Sequence, residues 1–132
     1  NACPSKGHKL VTHDWTPHHE FIEIIKNMDV GMQCSLSETF NIVAADVISA
    51  GVTVVASKEV DWMVTGFANP TDSDDICKAL VNAFNDKRTN VCRNANSLNH
   101  FADKSESLWL NFLYNRPTQL SLFDRIIRYI FK

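Results

Sequence analysis

Residues 35–57, SLSETFNIVAADVISAGVTVVAS, restrict the fold more than any other part of the chain. A hydroxyl-rich turn carrying Glu38 runs into an apolar stretch broken by one carboxylate, Asp46. Gly51 follows, and then the β-branched run Val52–Ser57. That order reads as turn, buried helix, glycine stop and buried strand. A helix opening from such a turn presents free backbone N–H groups and the positive end of its dipole, an arrangement that attracts anions. Open parallel sheets, in turn, bind ligands at the carboxyl ends of their strands. The stretch therefore predicts a nucleotide-type ligand.

The surrounding pattern is β-α-β-α-β. Lys9 to His13 reads as a short strand, and Thr16-Pro17 opens a helix with Phe21, Ile24, Ile25 and Met28 on one face. Asp29 to Cys34 is the second strand, about Phe40 to Ala50 the second helix, and Val52 to Ser57 the third strand. Connections of this kind suit parallel strands, and near-continuous apolar strands suit a sheet covered on both faces. Beyond Lys58, Val64 to Phe67 predicts a short fourth strand and Ala68-Asn69-Pro70 a turn. The acidic segment Thr71 to Asp75 starts a helix reaching about Asn85. Two or three further helices follow, around Lys87–Ala102, Lys104–Tyr114 and Thr118–Phe131. The last is amphipathic, with Leu120, Phe123, Ile126, Ile127 and Ile130 on one face. The expected fold is α/β: a Rossmann-like three-layer domain with a parallel sheet, followed by C-terminal helices. Residues 3–70 form its βαβαβ core and residues 71–132 its helical part, together one partial domain.

At 132 residues the chain suits one domain, and its net charge of -2 gives no argument for an anionic membrane as partner; no nucleic acid is expected. It contains neither a transmembrane-length apolar run nor a signal-peptide pattern. It opens Asn1-Ala2-Cys3-Pro4 without an initiator Met, which reads as a piece of a longer protein. Cys3, Cys34, Cys77 and Cys92 form no CxxC pair and no dense framework, so reduced thiols and a cytoplasmic location are expected, with peripheral membrane contact left open. Cys34 ends an apolar run and reads as a small packed residue, with a catalytic thiol as the alternative. His13, His18 and His19 match no zinc spacing, so no metal is expected, although His13 ends the first strand and could line a cleft. Lys58 and Glu59 follow the third strand, at the ligand edge or in a solvated loop.

Glu38 and Asp46 are the residues to weigh for chemistry. Ser35-x-x-Glu38 matches a capping box, so Glu38 is either a cap or a group that grips ligand hydroxyls. Asp46 lies in Asn41-Ile42-Val43-Ala44-Ala45-Asp46-Val47-Ile48, apolar on nearly every other side. A buried carboxylate needs a partner. Asp46 thus either meets solvent on one face or accepts a pair of ligand hydroxyls, as acids hold ribose in nucleotide folds.

The same segment resembles the nucleotide-sugar-binding signature of GT-B glycosyltransferases, in particular the retaining family 4 group. That signature runs P-S-x-x-E-(small)-F-G, four residues, E-A, a small residue, then G-x-P-V-V. Here it stands as Cys34-Ser35-Leu36-Ser37-Glu38-Thr39-Phe40-Asn41, then Asp46-Val47, then Gly51-Val52-Thr53-Val54-Val55-Ala56-Ser57, with the family's seven residues between the acids. Phe21-Ile22-Glu23 through Met28-Asp29-Val30 is similar to the preceding helix and strand, Val64-Thr65-Gly66-Phe67 with Asn69-Pro70 to the segment after the motif, and Trp109 and Tyr114 to the late aromatic helix. The likeness covers roughly residues 9–115.

The resemblance implies the donor-binding half of an enzyme that transfers a sugar, with retention, from a nucleotide diphosphate sugar. The acceptor, a saccharide, lipid-linked or other molecule, would be held by an N-terminal domain outside this sequence. Glu38 would be catalytic and hold the donor sugar's hydroxyls, with Ser35 in the same turn. The amides of Thr39, Phe40 and Asn41 would face the diphosphate or sugar, and Asp46 the ribose. No metal or other cofactor is implied, because helix amides and basic residues stabilise the leaving diphosphate. The family's phosphate-binding Arg and Lys lie on earlier strands, so this piece alone is expected to bind weakly and not to turn over. Cys34, Asn41, Asp46 and Thr53 differ from the family's Pro, Gly, Glu and Pro. Asn is the best substitute for Gly where a left-handed backbone is required, whereas Asp46 is one methylene short. The alternatives are a non-catalytic α/β interaction module of the same fold, or another doubly wound nucleotide-binding domain, although neither GxGxxG nor a P-loop pattern occurs.

Overall fold

A computed structural model describes residues 9–114. They form an α/β unit in the order α1 (His18–Lys26), β1 (Val30–Gln33), α2 (Ile42–Ser49), β2 (Thr53–Ala56), α3 (Ser73–Asn85) and α4 (Lys87–Tyr114). β1 and β2 are parallel neighbours, with Gly31 opposite Val54 and Gln33 opposite Ala56. The α2 crossover between them supplies the connection that a parallel pair requires. All four β2 residues are buried, and the core gathers Ile25, Ala44, Val47, Ile48, Val54 and Trp62 around them. A smaller cluster under α3 joins Val55, Ala68 and Ala83, with Val30 and Cys34 against it. Gly31 is required where α2 crosses the sheet: a Cβ there would meet the Val47 side chain at 2.9 Å.

Four expectations need correction. Lys9 to His13 is not a strand: the segment is exposed, Leu10 by 72%, and no neighbouring strand among the described residues offers it a ladder. The predicted strand Val64 to Phe67 shrinks to one parallel bridge, Ala56 with Phe67. Helix α2 begins at Ile42, not Phe40, because Asn41 sits at φ 56°, outside the helical region. The predicted break near Asp103 is absent, and α4 runs unbroken through 28 residues. No glycine or proline interrupts it, so backbone propensity carries the helix past the end of its packing. The expected helix Thr118–Phe131 lies outside the described residues. No helix among the described residues is long and apolar enough to cross a membrane.

Helix α4 fastens to the sheet through two asparagines one turn apart. In β2, Ala56 points its N–H and C=O away from β1, to the Gly66 carbonyl and the Ala68 amide, each at 2.9 Å. Val54 has the same orientation, but no backbone partner reaches it. The Asn90 side chain takes that place: Oδ1 accepts from the Val54 N–H and Nδ2 donates to the Val54 carbonyl, both at 3.3 Å. Asn94 repeats the device one turn later, accepting from the Val64 and Thr65 amides and donating to the Thr65 carbonyl. A side-chain amide thus stands in for a peptide group where the strand runs out, as buried backbone polar groups require. Gly66, at φ +82°, makes room, since a Cβ there would lie 2.5 Å from both Asn90 Nδ2 and the Val54 carbonyl oxygen.

Candidate functional site

The loop between β1 and α2 holds most of the residues that the sequence singled out. Its central interaction is a 2.6 Å hydrogen bond from the Ser35 hydroxyl to Glu38 Oε1. A capping box would instead have Ser35 accepting a backbone N–H at the helix start. That task falls to Asn41, whose Oδ1 accepts from the Ala44 amide at 2.9 Å. Asn41 caps α2 from the left-handed region, where Asn is the residue other than Gly that enters most readily. Glu38 is therefore not the cap of α2. It is half-buried, and its hydrogen-bond partner among the described residues is the Ser35 hydroxyl.

Ala44 is served by the Asn41 side chain and Ala45 by the Asn41 carbonyl, which leaves the amides of Asn41, Ile42 and Val43 without partners inside the helix. The mouth of α2 therefore keeps open donors at the positive end of its dipole. Thr39 is exposed beside it. Phe40 turns the other way: its carbonyl accepts from Trp62 Nε1, and its ring packs against Trp62 and Phe101 at centroid distances of 6.1 and 5.4 Å. Phe40 thus anchors the loop to the core, leaving its backbone N–H as the part available for binding.

Asp46 lies apart from Glu38. It accepts from His18 Nε2 at 3.1 Å, a bond from the start of α1 to the middle of α2. Its side chain is 22% exposed, so the solvent-meeting reading and the ligand reading both keep their geometry. A cavity of about 540 Å³ surrounds it, lined by His13, Trp15, His18, Phe21 and Ile42 among others. Trp15 is 90% exposed, an indole face left open beside a carboxylate. The cavity around Asp46 is not lined by Glu38, and no hydrogen bond among the described residues joins the two.

A second cavity, of about 350 Å³, opens past the carboxyl end of β2 and is lined by Ser57, Lys58, Glu59, Asn69 and Asp75 among others. Ser57 Oγ is buried there without a partner among the described residues, and Asp75 accepts from the Asn69 amide at 2.7 Å. Lys58 and Glu59 are exposed on its rim, at the ligand edge of the sheet. Beside β1, burial, reinforced by the negative charge of Asp75, pushes the Cys34 thiol above its ordinary value. A thiol held protonated is a poor nucleophile, and Cys34 packs against the Val55, Ala68 and Ala83 cluster. Cys77 and Cys92 are also free. Among the described residues, no group of three or more His, Cys, Asp or Glu side chains is arranged to hold a metal ion.

The chain's pattern singled out Glu38, Asn41 and Asp46 as candidates but not Trp15, Ser57 and Asp75, which the structure places on the two cavities. The first lies in a loop without periodicity, and the other two gain meaning only when the chain ends of β2 and α3 meet. No family model matches the chain, and neither a curated protein nor a solved structure does so.

Proposed function

We propose that this chain is the donor-binding part of a retaining glycosyltransferase, its parallel strand pair belonging to a Rossmann-like three-layer domain. In this reading the full-length protein takes a nucleotide diphosphate sugar and passes the sugar to an acceptor held by another domain. The observation that carries it is the division of labour at α2: Asn41 performs the capping, which leaves Glu38 and the helix-mouth amides available to a ligand. Backbone donors already aimed at the place where charge develops cost little reorganisation during reaction. Glu38 would bind the sugar hydroxyls, with Ser35 holding its carboxylate. The amides around Thr39, Phe40 and Asn41 would face the diphosphate. Asp46, a hydrogen-bond acceptor in a cavity with an open indole, is suited to a ribose diol beside a base. The chemistry requires no metal ion in this scheme, because helix amides and basic groups stabilise the leaving diphosphate.

Titration calorimetry of the full-length protein with UDP, GDP and ADP tests the reading. One of the three should bind, and Glu38→Ala and Asp46→Ala should each weaken a nucleotide sugar about ten- to a hundredfold, the loss expected for one charge-assisted hydrogen bond. Absence of binding by all three nucleotides would sink the enzyme reading and leave a non-catalytic α/β interaction module. Retained affinity in Asp46→Ala would remove the ribose assignment alone.

A further inference from the structure

The cavity past the carboxyl end of β2 is walled by residues that the strand pair and α3 hold in place. Ser57 donates its N–H to the Gln33 carbonyl at 3.4 Å, and its carbonyl accepts from the Val60 amide at 3.3 Å, so its backbone is fixed at the strand end. Its side chain is not provided for. The residue is 1% exposed, and its hydroxyl has no partner among the described residues. A buried hydroxyl without a hydrogen bond is costly, and a molecule bound in the cavity would supply one. Asp75 uses Oδ2 on the Asn69 amide, which leaves Oδ1 without a hydrogen-bond partner among the described residues. Asn69 turns its Oδ1 to the N–H and hydroxyl of Thr71, so its Nδ2 remains as a donor. Lys58 and Glu59 stand exposed on the rim, and neither forms an ion pair among the described residues.

These groups are mixed in sign and rich in both donors and acceptors. One ammonium, Lys58, is outnumbered by two carboxylates, Glu59 and Asp75, so the cavity does not favour phosphate, sulfate or carboxylate ligands. The start of α3 offers an anion little either, because Asp72 already caps it by accepting from the Asp74 and Asp75 amides. Phe67 and Pro70, both half-buried, add apolar surface beside the polar groups. At about 350 Å³ the cavity stands at the low end of small-molecule sites, about 300–1,000 Å³, with room for one ring and not for a nucleotide sugar. A sugar ring has the matching chemistry: each hydroxyl both donates and accepts, adjacent hydroxyls suit a carboxylate, and the C–H face is apolar. We propose that the cavity at Ser57, Asn69 and Asp75 is a binding site for a single neutral sugar ring. Asp75 Oδ1 and Glu59 accept from its hydroxyls, Lys58 and Asn69 Nδ2 donate to them, and Ser57 completes the set, while Phe67 and Pro70 meet the C–H face. No residue of this cavity lines the one around Asp46, and Glu38 lines neither, so the site stands without any nucleotide at the α2 mouth.

Backbone amide NMR of the full chain tests the site. The probes are D-glucose, D-galactose, D-mannose and N-acetyl-D-glucosamine, with sodium phosphate and glycine for contrast, each titrated into the millimolar range. At least one sugar should move the amides of Ser57, Lys58, Asn69 and Asp75 saturably, and phosphate and glycine should not. Ser57→Ala removes only the unpaired hydroxyl, so its urea midpoint should equal or exceed the parent's while sugar affinity falls about three- to tenfold. Asp75→Asn keeps an oxygen for the Asn69 amide and should weaken the sugar about tenfold or more, with the amide shifts of α2 and β2 unchanged. Failure of every sugar to move these amides would overturn the proposal, as would equal sugar affinity in the parent and both variants. So would a saturable response to phosphate or glycine alone, which assigns the cavity to an anion or a zwitterion.

Discussion

Replacing Asn90 by Ala removes the side chain that completes β2. Val54 is fully buried, and its N–H and C=O both bond to the Asn90 amide. Neither group has water or a strand to turn to once the amide is gone. A buried backbone group left unpaired costs about 1–3 kcal/mol, so two of them cost about 2–6 kcal/mol. Both bonds are long, at 3.3 Å, and the sheet can relax locally, which puts the expected loss near the lower half, about 3 kcal/mol. Against a total stability of about 5–15 kcal/mol for a domain, that is a large share. Urea unfolding followed by Trp62 emission reads it, since that indole is 2% exposed and senses the core. Asn90→Asp separates the two bonds: it can still accept from the Val54 N–H but sets oxygen against the Val54 carbonyl, so it should be nearly as damaging. A loss below about 0.5 kcal/mol in Asn90→Ala, the size of an ordinary surface substitution, would refute the claim that Asn90 substitutes for a strand.

Three further outcomes are expected. Asn41→Ala loses the cap of α2 and forces a side chain into the left-handed region, together about 2–3 kcal/mol by urea unfolding, whereas Asn41→Gly loses the cap but gains backbone freedom and should cost under about 1 kcal/mol. Gly66→Ala drives a Cβ against Asn90 and Val54 at a positive φ, and its thermal midpoint should fall together with that of Asn90→Ala, with less than additive effect when combined. Cys34 has its folded pKa raised by burial and by Asp75, so its contribution is complete below the ordinary thiol value and is lost as pH rises through the raised one. Urea midpoints should therefore fall above about pH 9 in the parent more than in Cys34→Ala, and equal pH profiles for the two would contradict the burial argument.

Much of the candidate site was legible because its signals are local. The spacing of Glu38 and Asp46, the apolar helix between Asn41 and Ser49, and the Gly51 stop all depend on neighbours within a few turns. The choice between cap and ligand group at Glu38 stayed open for the same reason. Ser35-x-x-Glu38 is a sound local pattern, but the left-handed turn at Asn41 moves the helix start beyond it, and the cap moves with it.

The amino-acid pattern by itself determined the parallel β1–α2–β2 unit, since period, length and the glycine stop leave few alternatives. It also marked the ends of α1 and α3 closely, through Pro17 and the acidic residues whose Asp72 caps α3. Only the tertiary structure decided that residues 9–13 make no strand, because a strand exists by virtue of the neighbour that hydrogen-bonds to it. Only it separated Asp46, bonded to His18, from Glu38, bonded to Ser35. And only it turned Asn90 and Asn94, two polar residues of no apparent pattern, into the groups that close the sheet: their partners lie 29 to 36 residues away, beyond the reach of any local periodicity.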